Sequence, residues 1–480
     1  MQIISGTSEN GGQQLTVGEN ATLQVERLIM NEYATIVVEA GGKLIVDGTQ
    51  GINAPEESNI ILETSETDQA TFLFNPEVTS NRHPMATVKL TTKARQTAAN
   101  DYIYERFTIP TMDGNATTYG AENLSSVVLY PGQTEFKQAL YKWNGSDWEF
   151  MPSFKAMNPF QGYQLTNNSA NGEVVYTFEG NLVGNTDNDY NFVESGFGFF
   201  GNSYSADINI GKLFESFEGS DMQKTIWIYD YITDGFKTIT PESYGSVKYG
   251  TRKNPQGVIT DIRSMQAFLM NKATAGTATV DYESAIWGNP KYGLVGGGSG
   301  APAKRVAAED RDYITIYVAN ETSEDEVTFI RSNEYSNTFD NGADASKWMN
   351  NGINLYATTE EGDLAAVATN DIINMTIAFR SGNETEYTLG FDNLSGEEYA
   401  IRDILTGAVV NMEEGATYSF TQEANTTIPA RFQIIGAHKM PTGMETVEEG
   451  TAVQQKVIIN GVLYILRDNK WYNAQGQIVK

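Results

Sequence analysis

The sequence predicts an all-β protein, in which a short N-terminal β-solenoid or β-roll precedes tandem antiparallel β-sandwich domains and a small C-terminal β module. The composition supports this class. The 45 glycines and the many Asn, Thr and Ser residues suit hairpin turns, and only 19% of the residues are charged. The 480 residues, at roughly 100–200 residues per domain, predict three or four domains.

The N-terminal region, residues 1–78, consists of short apolar segments that Gly or Asn residues separate. Alternating segments lie at 15–17, 23–25, 36–38, 44–46 and 60–62. So short a strand cannot bury its apolar side by itself, whereas stacked strands bury it against one another. The pattern therefore predicts the stacked rungs of a solenoid or β-roll.

Residues 79–290 carry longer strands and many aromatic residues, which favour a β-sandwich. The segment 139–150 predicts a hairpin, because apolar and polar residues alternate on both sides of Asn144-Gly145. An Asn-Gly pair is typical of the two-residue type I′ turn, in which both central residues have positive φ.

A second segment of the same region, 224–240, repeats the plan of this hairpin. An apolar strand that contains Gln follows each of the two hairpins, at 160–165 and at 265–270. Two copies of a hairpin followed by a strand predict an internal duplication within the sandwich.

The remainder of the chain divides by composition. We predict a Gly-rich linker at 291–309, a second β-sandwich at 310–438, an acidic tether at 439–455 and a C-terminal segment of the secretion or anchoring type at 456–480. The alternating pattern of the second sandwich indicates seven or eight strands.

The charge balance of 32 − 61 = −29 argues against nucleic acid as a partner, because an acidic surface repels phosphate backbones. The chain has no cysteine, which excludes disulfides and thiolate metal sites. No segment approaches the ~18 apolar residues of a membrane-spanning helix, so no transmembrane span is predicted. The first residues also lack the basic and apolar regions of a signal peptide.

Few residues suit catalysis. Only His83 and His438 are present, and neither lies near a G-x-S-x-G elbow, which argues against a Ser-His-Asp triad. The run at 196–201 matches G-x-G-x-x-G but lacks the context of a dinucleotide site, so we predict a Gly-rich strand there. We therefore predict no enzymatic activity. A carboxylate-based hydrolase stays open as the catalytic alternative, because 61 acidic residues allow many pairs.

Two loop segments offer alternating oxygen donors of the kind that calcium prefers. The first contains Asp187 and Asp189, and the second contains Asp340 and Asp344. The alternative is that these side chains cap their own backbone in Asx turns. Calcium is the one cofactor that the sequence leaves open.

Three segments resemble, in order, strands of exported Bacteroidota proteins that use the type IX secretion system. They are GFFGNSYSADINI (198–210), TIWIYD (225–230) and ITDIRSMQAFLMN (259–271). The chain departs from that pattern at Ser203, where a proline is usual, and at 265–267, where Gly-Gln-Gly is usual.

Further segments resemble other parts of the same proteins. SNTFDNGADASKW (336–348), INLYATTEEGDLAAVA (353–368) and ARFQIIG (430–436) resemble the region before their sorting signal. GENATLQV (18–25) and EAGGKLIVDG (39–48) resemble their upstream rungs. The resemblance implies an extracellular or cell-surface β protein and implies no reaction.

The last 25 residues resemble the C-terminal sorting-type segment of these proteins at Tyr464, Arg467, Tyr472 and Gly476. The resemblance therefore implies the secretion machinery as a partner of the C-terminus.

The functional hypothesis from these observations is a secreted or cell-surface structural or adhesive protein without catalytic activity, able to self-assemble. The alternative is a carbohydrate-binding surface protein whose partners are surface glycans. Under that alternative, exposed rings stack on sugars. The candidate rings are Trp143, Trp148, Tyr163, Trp227 and Tyr229. Burial of these rings favours the first hypothesis, and coplanar exposure favours the second.

Overall fold

The computed structural model describes residues 2–3, 13–98, 101–112, 135–170, 174–294, 311–321, 323–395, 398–437, 455–459, 462–467, 470–473 and 478–479. The chain forms two compact units, Met1–Gly436 and Ala437–Lys480. Strands dominate the described residues, so the predicted all-β class is confirmed. The exceptions are one α-helix, α1 (Ile210–Ser216), 3-10 turns at Phe154–Ala156 and Pro290–Tyr292, and a π-helical turn at Glu283–Trp287. No helix among the described residues has the length and apolarity to cross a bilayer.

The N-terminal region is a three-sided parallel β-solenoid, as predicted. Its strands are β1 (Gln2–Ile3), β2 (Gln14–Val17), β3 (Thr22–Val25), β4 (Leu28–Met30), β5 (Thr35–Val38), β6 (Lys43–Val46), β7 (Ile52–Asn53), β8 (Asn59–Leu62) and β9 (Thr71–Phe74). Successive rungs place β2, β5 and β8 in one sheet, β3, β6 and β9 in a second, and β1, β4 and β7 in a third. Ile36, Leu44 and Phe72 are among the fully buried residues of its core. Each rung buries its apolar side only because its neighbours cover it.

Glycine punctuates the rungs because their backbones approach closely at the corners. Gly48 follows β6, and a Cβ atom at this position would lie 2.2 Å from the Glu26 carbonyl oxygen of the preceding rung. Only glycine fits so close an approach. The Gly-marked gaps in the sequence therefore correspond to the corners of the solenoid.

The solenoid continues into the next part of the chain without a break in its core. Strand β10 (Met85–Thr91) pairs in parallel with β8 and antiparallel with β17 (Val175–Asn181). One hydrophobic cluster includes both Val17 of the solenoid and Leu182, which follows β17. The boundary near residue 78 thus marks a change from parallel rungs to antiparallel strands, and both sides share one core.

Two successive repeats follow the solenoid. The first repeat contains β10, β11 (Arg95–Ala98), β12 (Asp101–Ile103), β13 (Glu105–Phe107), β14 (Gln138–Trp143), β15 (Trp148–Met151), β16 (Tyr163–Asn167) and β17. The second repeat contains β18 (Asn188–Phe192), β19 (Gly196–Gly201), β20 (Ile208–Asn209), β21 (Ile226–Asp230), β22 (Gly235–Ile239), β23 (Lys248–Thr251), β24 (Asn254–Val258), β25 (Asp261–Ile262), β26 (Ala267–Lys272) and β27 (Gly276–Val280). The G-x-G-x-x-G run is strand β19.

The two repeats have the same strand order. The antiparallel sheet of the first repeat runs β13-β16-β14-β15, and that of the second runs β19-β26-β21-β22. The first and last strands of each repeat also pair antiparallel, β10 with β17 and β18 with β27. Equal order and equal pairing are what an internal duplication produces.

The repeats contact each other reciprocally. Phe160 and Met265 have positive φ angles of 64° and 61° at equivalent positions before β16 and β26, and Gln follows each. The Gly201 N–H donates to the Phe160 carbonyl oxygen at 3.0 Å, and the Thr108 N–H donates to the Met265 carbonyl oxygen at 2.9 Å. Such a two-way exchange is typical of isologous contacts between copies of one motif.

The second repeat also packs against the outer side of the β3-β6-β9 sheet. Ile45 and Leu73 are buried in the same hydrophobic cluster as the second repeat. The Ser205 hydroxyl donates to the Phe72 carbonyl oxygen at 2.7 Å, and the Phe72 N–H donates to the Ser205 carbonyl oxygen at 2.8 Å. This solenoid sheet is therefore covered on both sides.

The first hairpin differs from its prediction. Four residues connect β14 and β15, instead of the two of a type I′ turn. The Asn144 side chain accepts hydrogen bonds from the N–H groups of Ser146 and Asp147, at 3.0 and 2.9 Å. Of the predicted turn pair, only Gly145 has a positive φ, 108°. The type I′ prediction is wrong because an Asx turn of Asn144 replaces it.

Eleven strands, here called the third module, form a single sheet. They are β28 (Asp312–Ala319), β29 (Glu324–Arg331), β30 (Ala345–Ser346), β31 (Asn354–Thr359), β32 (Gly362–Thr369), β33 (Thr376–Arg380), β34 (Glu386–Ser395), β35 (Tyr399–Asp403), β36 (Val409–Asn411), β37 (Thr417–Thr421) and β38 (Thr427–Gly436). The order is β36-β35-β38-β33-β31-β32-β29-β28-β34-β37, with β30 paired to β32. The estimate of seven or eight strands was too low, because strands as short as β30 and β36 leave no alternating pattern.

The third module folds its sheet face to face, as in a sandwich. Phe420 lies in β37, at one end of the strand order. Its ring centre nevertheless lies 5.3 Å from that of Phe379 in β33 and 5.1 Å from that of Phe432 in β38. All pairs in this sheet are antiparallel except β29 with β32, which is parallel.

The Gly-rich linker begins later than residue 291. Pro290–Tyr292 form a 3-10 turn, and Tyr292 is buried in the core of the second repeat. The Asp207 N–H donates to the Tyr292 hydroxyl oxygen at 2.7 Å. A buried tyrosine thus extends the second repeat into the predicted linker. The rest of that linker, 295–309, and residues 439–454 of the acidic tether lie outside the described residues.

The second unit contains four strands, β39 (Gln455–Ile459), β40 (Val462–Arg467), β41 (Lys470–Asn473) and β42 (Ile478–Val479). Each strand pairs antiparallel with the next one along the chain. Residues 460–461, 468–469 and 474–477, between these strands, lie outside the described residues.

Replacement of Gly201 by alanine is expected to loosen the contact between the repeats. A Cβ atom at this position would lie 2.2 Å from the Thr108 Cβ atom, which the backbone holds in place. Overpacking of this kind lowers the free energy of unfolding by about 1–3 kcal/mol. Urea denaturation followed by tryptophan fluorescence measures the change. The control is Gly352→Ala, where no atom lies within 4 Å of the added methyl group; equal stability of the two variants would contradict the tight contact.

Candidate functional site

The five aromatic residues predicted to stack on sugars form no exposed platform. Tyr163 and Trp227 are fully buried, and Tyr229 is 8% exposed. Trp143 and Trp148 are half-buried and pack edge to face, with ring centres 5.5 Å apart and an interplanar angle of 67°. A sugar needs an open ring face, so Tyr163 and Trp227 are unavailable for stacking. Strands β16 and β21, which carry Tyr163, Trp227 and Tyr229, are buried at every position, which alternation alone did not reveal.

Trp143, Trp148 and Trp227 instead help to join the two repeats and the third module. We call the cluster of Trp143, Trp148, Phe197, Phe236 and Trp348 the aromatic junction; it packs around buried Phe199, Trp227, Ala267 and Leu269. Trp348 comes from the third module. Its ring centre lies 5.3 Å from that of Trp143 in the first repeat. It also lies 5.1 Å from that of Phe197 and 5.9 Å from that of Phe236 in the second repeat. Edge-to-face contacts at these distances are favourable, so the junction binds three modules together.

The first pair of predicted calcium ligands accepts hydrogen bonds from neighbouring strands. Asp187 Oδ1 accepts the Tyr282 N–H at 2.9 Å, and Asp189 Oδ1 accepts the Thr279 hydroxyl. In the described part of the chain, no three or more acidic or histidine side chains come close enough to hold a metal ion together. Calcium binding at these residues stays a prediction.

The second pair caps its own loop. Asp344 is 2% exposed, and its two carboxylate oxygens accept the N–H groups of Asp340 and Ala368, each at 2.6 Å. The Ser336 N–H donates to the Asp340 carboxylate at 3.0 Å. Burial raises the pKa of Asp344 to about 6, although these two N–H donors oppose the shift. Backbone capping, the alternative that the sequence left open, describes these contacts.

The remaining candidates from the sequence are the two histidines and the residues of the sorting-type segment. His83 Nδ1 lies 3.0 Å from the Leu182 carbonyl oxygen, where the first repeat ends. Tyr464 and Arg467 lie in β40 and Tyr472 lies in β41. His438 and Gly476 lie outside the described residues.

A cavity of about 250 Å³ lies where the solenoid and both repeats meet. Its wall is formed mainly by the solenoid loop 65–69, by residues 104–106 of the first repeat, and by residues 229–232 and 263–267 of the second. Its ring and charged lining residues are the tyrosines Tyr104, Tyr229, Tyr231 and Tyr249, the cations Lys93, Arg106 and Arg263, and the acids Glu66, Asp68 and Glu105. This combination of open volume, rings and charges makes the cavity our candidate binding site.

Arg106 is the unusual residue of this cavity. It is 7% exposed, and its side chain makes no hydrogen bond or ion pair with any described residue. Its guanidinium carbon lies 4.3 Å from the ring centre of Tyr229, 5.0 Å from that of Tyr104 and 5.8 Å from that of Trp148. Its Nε and Nη1 atoms are buried without an acceptor. Burial lowers the pKa of Arg106, and the nearby negative groups only partly oppose this shift.

The carboxylates nearest to Arg106 are engaged elsewhere. The Glu105 carboxylate accepts the Lys93 N–H at 2.7 Å. The Asp234 carboxylate accepts the Tyr229 hydroxyl. Neither forms an ion pair with Arg106, which therefore lines the cavity as an unpaired cation. On its other side, Arg106 borders a smaller cavity of about 40 Å³.

A second cavity, of about 310 Å³, lies between the second repeat and the third module. Here Arg252 pairs with three carboxylates, those of Glu324, Glu326 and Asp392. Its guanidinium carbon also lies 4.2 Å from the ring centre of Tyr317. Burial would raise the pKa of Glu326, but Arg252 outweighs it and holds that pKa below its usual range. A carboxylate held ionised is unsuited to act as a general acid. We therefore interpret this cluster as part of the interface between the second repeat and the third module.

The sequence analysis missed Arg106, although the duplication contains a signal for it. Arg106 pairs with Gln164 in the first repeat, and Phe199 pairs with Leu269 in the second. Gln164 and Leu269 lie at the same distance along the chain from the two equivalent residues with positive φ. Arg106 therefore occupies the position that Phe199 has in the other repeat. Aligning the two repeats would have exposed this replacement of a core phenylalanine by a charge.

Comparison with known proteins adds no identification. No family model matches the chain, and neither the curated proteins nor the solved structures contain a significant match. The functional argument therefore rests on the geometry of the described residues.

The raised pKa of Asp344 predicts a pH dependence of stability. Between the ordinary value of 3.8 and about 6 the folded state binds the proton more strongly. The stabilisation is therefore fully present below pH 3.8 and is lost as the pH rises through 6, by at most about 3 kcal/mol. We expect Asp344→Asn to remove this part of the slope in urea denaturation between pH 4 and pH 6.5. The exposed Asp371→Asn is the control; an unchanged slope in Asp344→Asn would refute the assignment.

Proposed function

We propose that the protein is a non-catalytic structural or adhesive component of a cell surface. The observation that carries this proposal is the joining of the solenoid, both repeats and the third module in one compact unit. Reciprocal hydrogen bonds join the repeats, and the aromatic junction attaches the third module to both. An extracellular component that must transmit force or present a surface benefits from such fixed modules. The extracellular location rests on the resemblance of the sequence motifs.

The absence of catalysis is part of the proposal. The acidic side chains that come together at Arg252 are compensated by its positive charge. A carboxylate hydrolase instead needs one carboxyl group that is protonated near neutral pH. The arrangement therefore supports a role for this cluster in holding the second repeat to the third module more than a role in proton transfer.

Carbohydrate binding is the second candidate function. The cavity around Arg106 favours it, because its lining combines tyrosine rings with charged groups. Sugar sites commonly pair ring faces with a few fixed polar groups. The rings involved differ from those predicted from the sequence, except for Tyr229.

For the C-terminal unit we propose interaction with a secretion machinery. The support is the resemblance at Tyr464, Arg467, Tyr472 and Gly476, together with the compactness of this unit by itself. A sorting segment that folds independently can be read by its receptor without unfolding the remainder of the protein.

The structural proposal predicts self-assembly of the purified chain. We expect light scattering and negative-stain imaging to reveal a defined oligomer, sheet or filament whose mass increases with protein concentration. Measurements with calcium and with a chelator determine whether the carboxylate loops at Asp187 and Asp340 contribute. A stable monomer in both conditions would contradict assembly and favour carbohydrate binding.

The sorting proposal predicts that deletion of residues 456–480 blocks export. We expect the shortened chain to keep the circular dichroism and melting temperature of the main unit, because that unit is compact by itself. The measurement is the share of the protein found outside the cells. Normal secretion of a folded, shortened chain would contradict the sorting hypothesis.

A further inference from the structure

We propose that the cavity around Arg106 binds the carboxylate of an acidic sugar residue. The Arg106 guanidinium supplies the positive charge, and the tyrosine rings of the lining supply a surface on which the sugar ring packs. The inference goes beyond the structural or adhesive role, since it assigns a site and a ligand class. It holds whether or not the chain assembles.

The fold itself does not require an arginine at position 106. Phe199, at the equivalent position of the second repeat, is 4% exposed, and its ring centre lies 5.0 Å from that of Trp148. An apolar side chain thus satisfies the packing at this position in the equivalent strand of the equivalent sheet. The first repeat instead buries a charge there. Since an unpaired buried ion is strongly unfavourable, its presence indicates a use outside folding.

The charge of Arg106 selects an anion. Nε and Nη1 are enclosed by protein and have no acceptor among the described residues, so no described carboxylate pairs with the guanidinium. A carboxylate that reaches the side of Arg106 facing the cavity neutralises this charge, whereas a neutral hydroxyl does not. The ring of Tyr229 covers part of the guanidinium, which offsets some of its desolvation while the cavity is free.

The remainder of the lining suits a ring with hydroxyl groups. Tyr104, Tyr231 and Tyr249 are half-buried and line the cavity. Lys93 Nζ lies 4.8 Å from the ring centre of Tyr231, and the Arg263 guanidinium lies 5.2 Å from that of Tyr249. These cations share the lining with the acids Glu66, Asp68 and Glu105, so the cavity is less negative than the chain as a whole, whose net charge is −29. The volume of about 250 Å³ limits the ligand to one sugar residue inside the cavity.

The test is isothermal titration of the full chain with methyl β-D-glucuronide. Methyl β-D-glucoside, which lacks the carboxylate, and acetate, which lacks the ring, are the comparisons. We expect the glucuronide to bind and each comparison to bind about tenfold more weakly or less. Equal affinity for the glucoside would overturn the role of Arg106, and equal affinity for acetate would overturn the role of the rings. Absence of glucuronide binding would overturn the whole proposal.

Arg106→Phe, which copies the second repeat, separates a binding role from a structural one. We expect it to abolish glucuronide binding while the melting temperature stays equal or rises, because an unpaired buried charge is removed. Arg106→Lys keeps the charge but loses the planar fork, and we expect about tenfold weaker binding. A lower melting temperature of Arg106→Phe with binding retained would refute the proposal.

Arg252→Met is the control, at a half-buried arginine that is paired with carboxylates. It leaves three carboxylates without their partner, so we expect a lower melting temperature and unchanged glucuronide affinity. Loss of glucuronide binding in folded Arg252→Met would contradict the placement of the site. Because affinity is measured independently of particle size, failure of this proposal is distinguishable from failure of assembly.

Discussion

Two backbone hydrogen bonds, exchanged in opposite directions between the repeats, position the parts of the protein that surround them. The bonds from Gly201 to Phe160 and from Thr108 to Met265 hold the two four-stranded sheets against each other. Aromatic rings from both sheets fill the space between them, and Trp348 adds the third module to the same cluster. Arg106 lies two residues before Thr108, so the contact that joins the repeats also fixes the wall of the cavity. Architecture and candidate site therefore depend on one local arrangement.

Three arginines, two of them buried and one half-buried, show three degrees of charge compensation. Arg252 has three carboxylates around it and joins two modules. Arg431 has one, the Asp403 carboxylate at 2.8 Å, inside the third module. Among the described residues, Arg106 has no carboxylate partner and lies against aromatic rings. Since Arg252 and Arg431 are both paired with carboxylates, the unpaired state of Arg106 sets it apart from these two arginines. It distinguishes the cavity from the structural interfaces.

Local signals predicted much of the fold. Gly-marked rungs indicated the solenoid, and two similar hairpins indicated the repeats, because turn chemistry and alternation act over a few residues. The aromatic junction could not be predicted in this way. It brings Trp348 to Trp143 across a long stretch of chain, and no local pattern encodes that contact. The loop aspartates were ambiguous for another reason: the oxygens that suit calcium equally suit backbone N–H groups, and Asp344 uses both of its oxygens in that way.

Strand β21 shows why the aromatic residues were poor indicators of a binding site and which kind of residue is a better one. All five of its residues are buried, with Ile226 and Ile228 facing the core of the second repeat and Trp227 facing the aromatic junction. A strand that is apolar at successive positions is covered on both sides, so its rings are packing elements. Within such a sheet the unexpected residue is a polar one. Arg106 precedes the buried Phe107 in β13, and its equivalent in the second repeat is a phenylalanine. The charged residue Arg106, in a strand that is covered on both faces, is therefore the feature of the sequence that points to a function. The tryptophans are weaker indicators.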